Sequence, residues 1–299
     1  NAPIVRLEDA LKGRASGVSV ASSSGQPGAG STVNIRGITS INNSVPLYVV
    51  DGVPIHENGI DFLNQSDIES IEILKDAASA AIYGTKAASG VIIVTTKKGK
   101  AGGLRVNYNT FFGTQSAAHK LNLLNATQYA GLRNESAANA NNGVPFPDVA
   151  SLGEGTDWQS TIFNDNALIQ NHDLSFSSGN EKSTYYASFG YFTQEGIVAT
   201  DISNYNRFTA RLNSDHKIKS WLRFGQTFSY AHIKSKGSFD PNGSYGGPLS
   251  SAINLDPIST EANRKWFDGR YAPHRGVTTG LRTILAARHA LIPDQDIRL

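Results

Sequence analysis

Residues 34–55 read NIRGITSINNSVPLYVVDGVPI, and residues 67–99 read DIESIEILKDAASAAIYGTKAASGVIIVTTKKG. Three apolar, β-branched runs (33–35, 47–50 and 91–96) are separated by Gly, Pro, Asn and Asp. Runs of that length between turn residues predict short strands. Asp51-Gly52 closes the second run, and both residue types accept positive φ, so a chain reversal is expected there. Ile71, Ile73 and Leu74, mixed with Glu69 and Glu72, predict a half-buried strand. Lys75-Asp76 opens an Ala-rich segment read as a helix over 76–83, ended by Tyr83-Gly84 with Gly84 as its left-handed cap. Upstream, 7–13 reads as a short helix with Glu8 and Asp9 at the positive end of its dipole, and 18–20 as a brief strand. Residues 1–103 are therefore expected to form a compact α+β unit. Its basic, Gly-rich exit, 97–103, is read as a hinge.

From Leu104 the period changes to two. Leu104, Val106, Tyr108 and Phe112 share one face; Tyr185, Ala187, Phe189 and Tyr191 share another. Phe208, Ala210 and Leu212 alternate with Arg207, Thr209, Arg211 and Asn213, and Leu222, Phe224, Phe228 and Tyr230 with Arg223, Thr227 and Ser229. Leu174 and Phe176 alternate with Ser175 and Ser177, so about five strands are expected over 104–258. A transmembrane β-barrel with an apolar lipid face produces this alternation. A soluble antiparallel sheet produces it just as cleanly, with the apolar face turned inward. No apolar run approaches the roughly 18 residues of a spanning helix, so a membrane reading requires a barrel.

The net charge is +2, with 17 % charged residues, and gives no global field for nucleic acid. Cysteine is absent, which removes disulfides and thiolate metal sites. Methionine is absent too, even at position 1, so the chain is expected to begin downstream of its translation start. No catalytic constellation is found: the seven histidines form no HExxH, and there is no GxSxG. The loop 22–32, SSSGQPGAGST, resembles a phosphate loop only in its glycines, because Ser31 stands where lysine is needed. Asp240-Pro241-Asn242-Gly243-Ser244 lacks the later positions of a calcium loop. His172, His216 and His232 sit singly on predicted strands, and no metal or cofactor is expected.

The motifs themselves resemble those of the SusC/RagA-like TonB-dependent outer-membrane transporters. In the plug they are Asn34-Ile35-Arg36-Gly37, the run 46–54 with Asp51-Gly52, the run 67–76 with Lys75-Asp76, Tyr83-Gly84 and Gly90-Val91-Ile92. In the barrel they include Thr156-Asp157-Trp158-Gln159 and the stretches 124–130, 170–175 and 190–196. The resemblance implies a plug domain (1–103), then the first antiparallel strands of a transmembrane barrel (104–258). Barrels of this plugged class hold about 22 strands. It implies import of oligosaccharide or peptide, no enzymatic activity, and a plug that closes the lumen. Partners would be the TonB energy-coupling complex, gripping a segment upstream of Leu7, a SusD-like surface lipoprotein, and outer-membrane lipid. The bacterium would be of Bacteroidetes type. Arg36, Gly37, Asp51, Gly52, Lys75, Asp76, Tyr83, Gly84 and Gly90 match plug motifs and are read as structural or gating positions. Arg36 and Lys75 are the ones expected to form salt bridges. A receptor or signal-relay protein that binds without translocating is the alternative on the same fold, and a fragment without function is the other.

Residues 134–156, rich in Asn and Ala, are read as a loop. After Pro257 the resemblance stops. Residues 259–299 hold six of the fourteen arginines and lose the alternation. A broken or frame-shifted end is expected there, and five strands alone are not expected to close a barrel.

Overall fold

In the computed structural model, residues 7–22, 24–37, 45–55, 60, 62–75, 81–237 and 248–259 are described. The chain forms two compact units: 1–113 with 168–194 and 205–235, and 114–167 with 195–204 and 236–299.

The first unit begins with helix α1 (Leu7–Leu11) and a two-stranded sheet of β1 (Val18–Ser22) and β2 (Ser31–Ile35), paired antiparallel. A four-stranded mixed sheet follows, made of β3 (Leu47–Val50), β4 (Val53–Ile55), β5 (Ile68–Leu74) and β6 (Val91–Thr96), in the order β4-β3-β6-β5. The β3–β4 reversal is a two-residue turn in which Asp51 and Gly52 take φ +49° and +88°, as the dipeptide predicts. β3 and β6 pair in parallel and are buried on both faces, as parallel strands usually are. Tyr48, Val50, Ile92 and Val94 join Leu11, Val33, Ile35 and Leu63 in one cluster; Val49 and Val91 pack with Ala87 on the other side. Gly90, at φ +95°, lies where a Cβ would meet Ile35 Cδ1 at 2.8 Å.

The expected Ala-rich helix falls mostly on residues 76–80, which lie outside the described residues, as does Asp76. What is described of it, Ala81–Tyr83, is a 3-10 turn. Gly84 has φ +71° but ψ −162°, so it is not a left-handed helical cap; it opens a second 3-10 turn, Thr85–Ala87.

The rest of this unit is a five-stranded sheet of β7 (Gly102–Gln115), β8 (Ala167–Gly179), β9 (Ser183–Glu195), β10 (Asn204–Lys219) and β11 (Leu222–Lys236), in strict sequential order. Five strands were expected, with these faces. The burial along β10 tells which face is inside. Phe208 and Leu212 are 40 % and 41 % exposed, whereas Arg207, Thr209, Arg211 and Asn213 are 5 % exposed or less. β9 repeats the pattern, exposing Tyr185, Phe189 and Tyr191 and burying Tyr186 and Ser188. A soluble sheet would bury the apolar half. This one turns it out, as strands in lipid do.

The second unit holds α2 (Ala126–Asn139), α3 (Trp158–Ile162) and α4 (Pro248–Asn254). The 134–156 loop expectation holds for 140–149 and 153–156 and is corrected at its start, where α2 runs through Asn139, and at Ala150–Leu152, a 3-10 turn. The reason is local. Asn125 caps the helix, its side chain accepting from Gln128 N at 2.8 Å while Gln128 Oε1 accepts from Asn125 N, a reciprocal box that starts a helix firmly. Trp158 and Ile162 of α3 pack against Ala252 and Leu255, and Trp158 Nε1 donates to the Asp256 carbonyl at 2.9 Å. Residues 240–244 and 260–299 lie outside the described residues.

Candidate functional site

The polar inner faces of β8–β10 meet the α+β unit of 7–96, and the contacts at their centre are hydrogen bonds and one charge pair. Their centre is Asp51. Its positive-φ turn at the end of β3 aims the carboxylate at β6, where Oδ1 accepts from Thr96 N at 2.9 Å and Oδ2 from Thr96 Oγ1 at 2.6 Å. Arg211 of β10 reaches the same place: its Nη2 donates to Asp51 Oδ2 at 2.5 Å and to Thr96 Oγ1 at 2.6 Å. Its Nη1 donates to Ser229 Oγ on β11 at 2.9 Å, so one guanidinium joins the turn to two strands. The Arg211 side chain is 3 % exposed. Charge-assisted bonds of this kind, shielded from water, rank among the stronger polar contacts in proteins.

Two further contacts flank the centre. Asn64 caps the 3-10 turn Gln65–Asp67, and its Nδ2 donates to Asp173 Oδ1 on β8; Asn171 Nδ2 donates to the other Asp173 oxygen at 2.6 Å. Beside it, Tyr186 of β9 donates its hydroxyl to Asp67 Oδ1 at 2.8 Å. Burial pushes the Asp67 carboxyl above its ordinary value, and nearby Asp173 adds to this. Hydrogen bonds from Ser188 and Tyr186 and the charge of Arg211 pull the other way.

The exit at 97–103 is pinned as well. Asn213 Nδ2 donates to the Lys97 carbonyl at 2.7 Å, and a Cβ on Gly99 would lie 2.3 Å from Tyr185 N, so the backbone itself lies against β9. At the other end of the unit, Gly28 (φ +68°) sits under the ring of Tyr205, which a Cβ would strike at 2.0 Å. The Gly-rich loop thus seats an aromatic ring, and Ser31-Thr32 begin a strand where a phosphate loop would begin a helix.

Of the positions singled out from sequence, Asp51 and Gly52 form the turn at the centre, and Gly90 is a close approach between elements. Arg36 and Gly37 take consecutive positive φ values, +58° and +90°, just after β2, with Arg36 N bonded to the Gly17 carbonyl. Lys75 Nζ donates to the Ser16 carbonyl at 2.5 Å. Tyr83 packs against the Val49, Ala87 and Val91 cluster. Arg211, Asp173, Tyr186 and Asn64 were not singled out. Arg211 was visible only as one of two arginines on the polar side of β10.

His172 contacts Tyr108 Oη at 2.8 Å and Phe112 edge-on, and His216 contacts Ser183 Oγ at 3.1 Å and Tyr185. Among the described residues, no three His, Asp or Glu side chains group as metal ligands. The second unit has a cavity of about 670 Å³, but Asn125, Gln128, Asp157 and Gln159 on its wall already bond to their own unit.

Residues 1–91 match the TonB-dependent Receptor Plug Domain family. The chain is 37 % identical over 275 residues to TonB-dependent receptor P26 of Formosa agariphila, covering 90 % of this chain and 26 % of that protein. It is 36 % identical over 285 residues to TonB-dependent receptor SusC of Bacteroides thetaiotaomicron, covering 91 % of this chain and 27 % of that one. The RagAB peptide importer in its closed-closed state superposes with a TM-score of 0.74 at 28 % identity, over 86 % of this chain and 32 % of its own. The chain therefore spans about a quarter of the curated relatives it matches.

Proposed function

We propose, from the premise that this chain belongs to the SusC/RagA-like TonB-dependent receptors, that it supplies the plug and first barrel strands of an outer-membrane nutrient importer. The division is a plug over 1–103, barrel strands with their connections over 104–258, and an atypical segment from 259. The protein works by binding and gated passage rather than by catalysis. The observation that carries this reading is the inverted burial of β9 and β10: apolar side chains out, charged and hydroxyl side chains in against the plug. That inner face holds the plug largely through breakable polar contacts, with the Tyr205 ring over Gly28 beside them. When the TonB complex pulls on a segment preceding the plug, Arg211 can exchange Asp51 for water, and Tyr186 and Asp173 can release Asp67 and Asn64. An apolar interface of the same area would resist hydration.

Arg36, Gly37, Asp51, Gly52, Lys75, Asp76, Tyr83, Gly84 and Gly90 act in this scheme as structural and gating positions of the plug. The substrate is an oligosaccharide or a peptide, delivered by a SusD-like surface lipoprotein in a Bacteroidetes-type outer membrane. RagAB, described as a peptide importer, favours the peptide class, and SusC marks the same branch. The test is uptake of labelled oligosaccharide and peptide pools by cells making the full-length protein, with and without intact TonB. Uptake of one pool that vanishes without TonB is expected. TonB-independent uptake, or none from either pool, overturns the reading.

A further inference from the structure

The inner face of the sheet carries a second charged feature, at the end where the connections are short. β8 passes to β9 through residues 180–182, and β10 passes to β11 through residues 220–221. Between these turns lies a cavity of about 450 Å³ whose charged lining is Lys182, Lys217, Lys219, Arg223, Glu181 and Asp215. Arg223 and Asp215 neutralise each other, with Nε 2.6 Å from Oδ1. Three ammonium groups then face one carboxylate, Glu181. None of the three lysines has a carboxylate partner within ion-pair distance among the described residues. Lys219 Nζ lies 5.5 Å over the ring of Trp221, which is 75 % exposed.

The frame beneath these charges is fixed. Asn180 Oδ1 accepts from Lys182 N and Ser183 N, each at 2.8 Å, and Lys217 N donates to the Lys182 carbonyl at 2.7 Å. The β8–β9 turn is thus tied to β10, whose Lys217 and Lys219 line the same cavity as Lys182. Like charges gathered in a cleft repel one another and focus a field that concentrates anions. A carboxylate offers two oxygens, whereas a phosphate group offers three or four to separate ammonium donors, and lysine binds phosphate as a point charge.

We infer that this cavity is a phosphate site, taking a phosphate group carried by a phospholipid headgroup or free in solution. The first source rests on the outer-membrane reading. Short turns of such barrels face the periplasm, where the inner leaflet is phospholipid. Leu222 itself lines the cavity and is 38 % exposed, so apolar surface reaches its rim. The second source does not rest on that reading, so the two can fail separately.

The experiment uses the full-length protein in neutral detergent, titrated with inorganic phosphate and, separately, with dioctanoyl-phosphatidylglycerol, and read by tryptophan emission. A saturable change that Trp221→Phe abolishes is expected for at least one probe. Replacing Lys182, Lys217 and Lys219 together by Gln should weaken binding by about tenfold or more, replacement by Arg should preserve it, and raised salt should weaken it. Tighter binding of the lipid than of phosphate assigns the headgroup; equal binding assigns the free anion. Saturation by neither probe overturns the site, as does equal affinity of the Gln triple variant and the parent. If the triple variant does not fold, Lys219→Gln at the exposed end of β10 decides, and unchanged affinity there overturns the site as well.

Discussion

In the plug, β3 and β6 hide Tyr48, Val49, Val50, Val91, Ile92 and Val94 from water. In the sheet beside it, β10 turns Phe208 and Leu212 outward and hides Arg207, Thr209, Arg211 and Asn213. Both regions are β structure, yet one buries its apolar side chains and the other its polar ones. The difference follows from what lies outside. The plug is surrounded by water and polar walls, so it needs an apolar centre. On the proposed outer-membrane reading the sheet has lipid as its outer solvent, so its apolar half gains nothing from being inside, and the polar half is left to hold the plug. A core that stays folded and, in the proposed scheme, an interface that comes apart are thus assigned to different chemistry.

The strongest way to break this contrast is at its centre. Arg211→Ala leaves the Asp51 carboxylate and Thr96 without their buried partner, and removing one member of such a pair costs about 3–5 kcal/mol. Hydrogen exchange of the full-length protein in bilayers should show lost protection in the plug with the strands unchanged, and Arg211→Lys should recover part of it. Equal protection in Arg211→Ala and the parent would mean that the plug is held elsewhere. Next in size is the outward face. Leu212→Arg should cost about 2–4 kcal/mol in a bilayer, as charges do near the middle of a lipid-facing strand, read from urea refolding midpoints. On a water-exposed sheet the same change would stay within about 0.5 kcal/mol. That smaller value would dissolve the contrast.

Much of the plug was readable because its signals are local. The runs 47–50 and 91–96 coincide with β3 and β6 residue for residue, and Asp51-Gly52 forms the reversal that its two residue types permit. Alternation from Leu104 onward gave the strands and their two faces. It could not say which face was inside, because period two is the same for a sheet in water and a sheet in lipid. The second role of Asp51 was invisible for another reason. Its partner Arg211 lies 160 residues away, and nothing near either residue marks the pair. α2 was missed although its signal was present: Asn125 and Gln128 three residues apart, followed by helix-favouring Ala, Leu, Arg and Glu.

The third test concerns Asp67, where the contrast between core and interface becomes pH-dependent. Its carboxyl is raised in the folded protein, chiefly by burial, so the native state holds a proton more tightly than the unfolded chain does. The stability tied to this group is complete below the unfolded value, and it falls as pH rises from there through the raised native value. Asp67→Asn keeps an oxygen for Tyr186 and Ser188 but carries no charge. It should flatten the pH dependence of unfolding and leave the protein more stable near neutral pH. An unchanged slope would mean that Asp67 is not charged at the expense of the fold.

The smallest effect is expected where a charge pair stands in open water. Lys100 Nζ lies 3.4 Å from Glu69 Oε1, with side chains 68 % and 43 % exposed, on the same exit that Asn213 pins through the Lys97 carbonyl. Exposed pairs of this geometry contribute about 0–1 kcal/mol, because water screens the attraction and two long side chains lose freedom. Lys100→Ala should therefore shift the unfolding midpoint by about 0.5 kcal/mol or less, and added salt should erase even that. Asn213→Ala, by comparison, removes the part-buried hydrogen bond to the Lys97 carbonyl and should cost about 1 kcal/mol. Measured together, the two variants ask whether the exit is held by charge or by burial. A larger loss for Lys100→Ala than for Asn213→Ala would assign the exit to its lysines. The expected reverse order assigns it to the inner face of β10, which also supplies Arg211, so one strand would carry both the contact that opens and the contact that keeps the plug tethered.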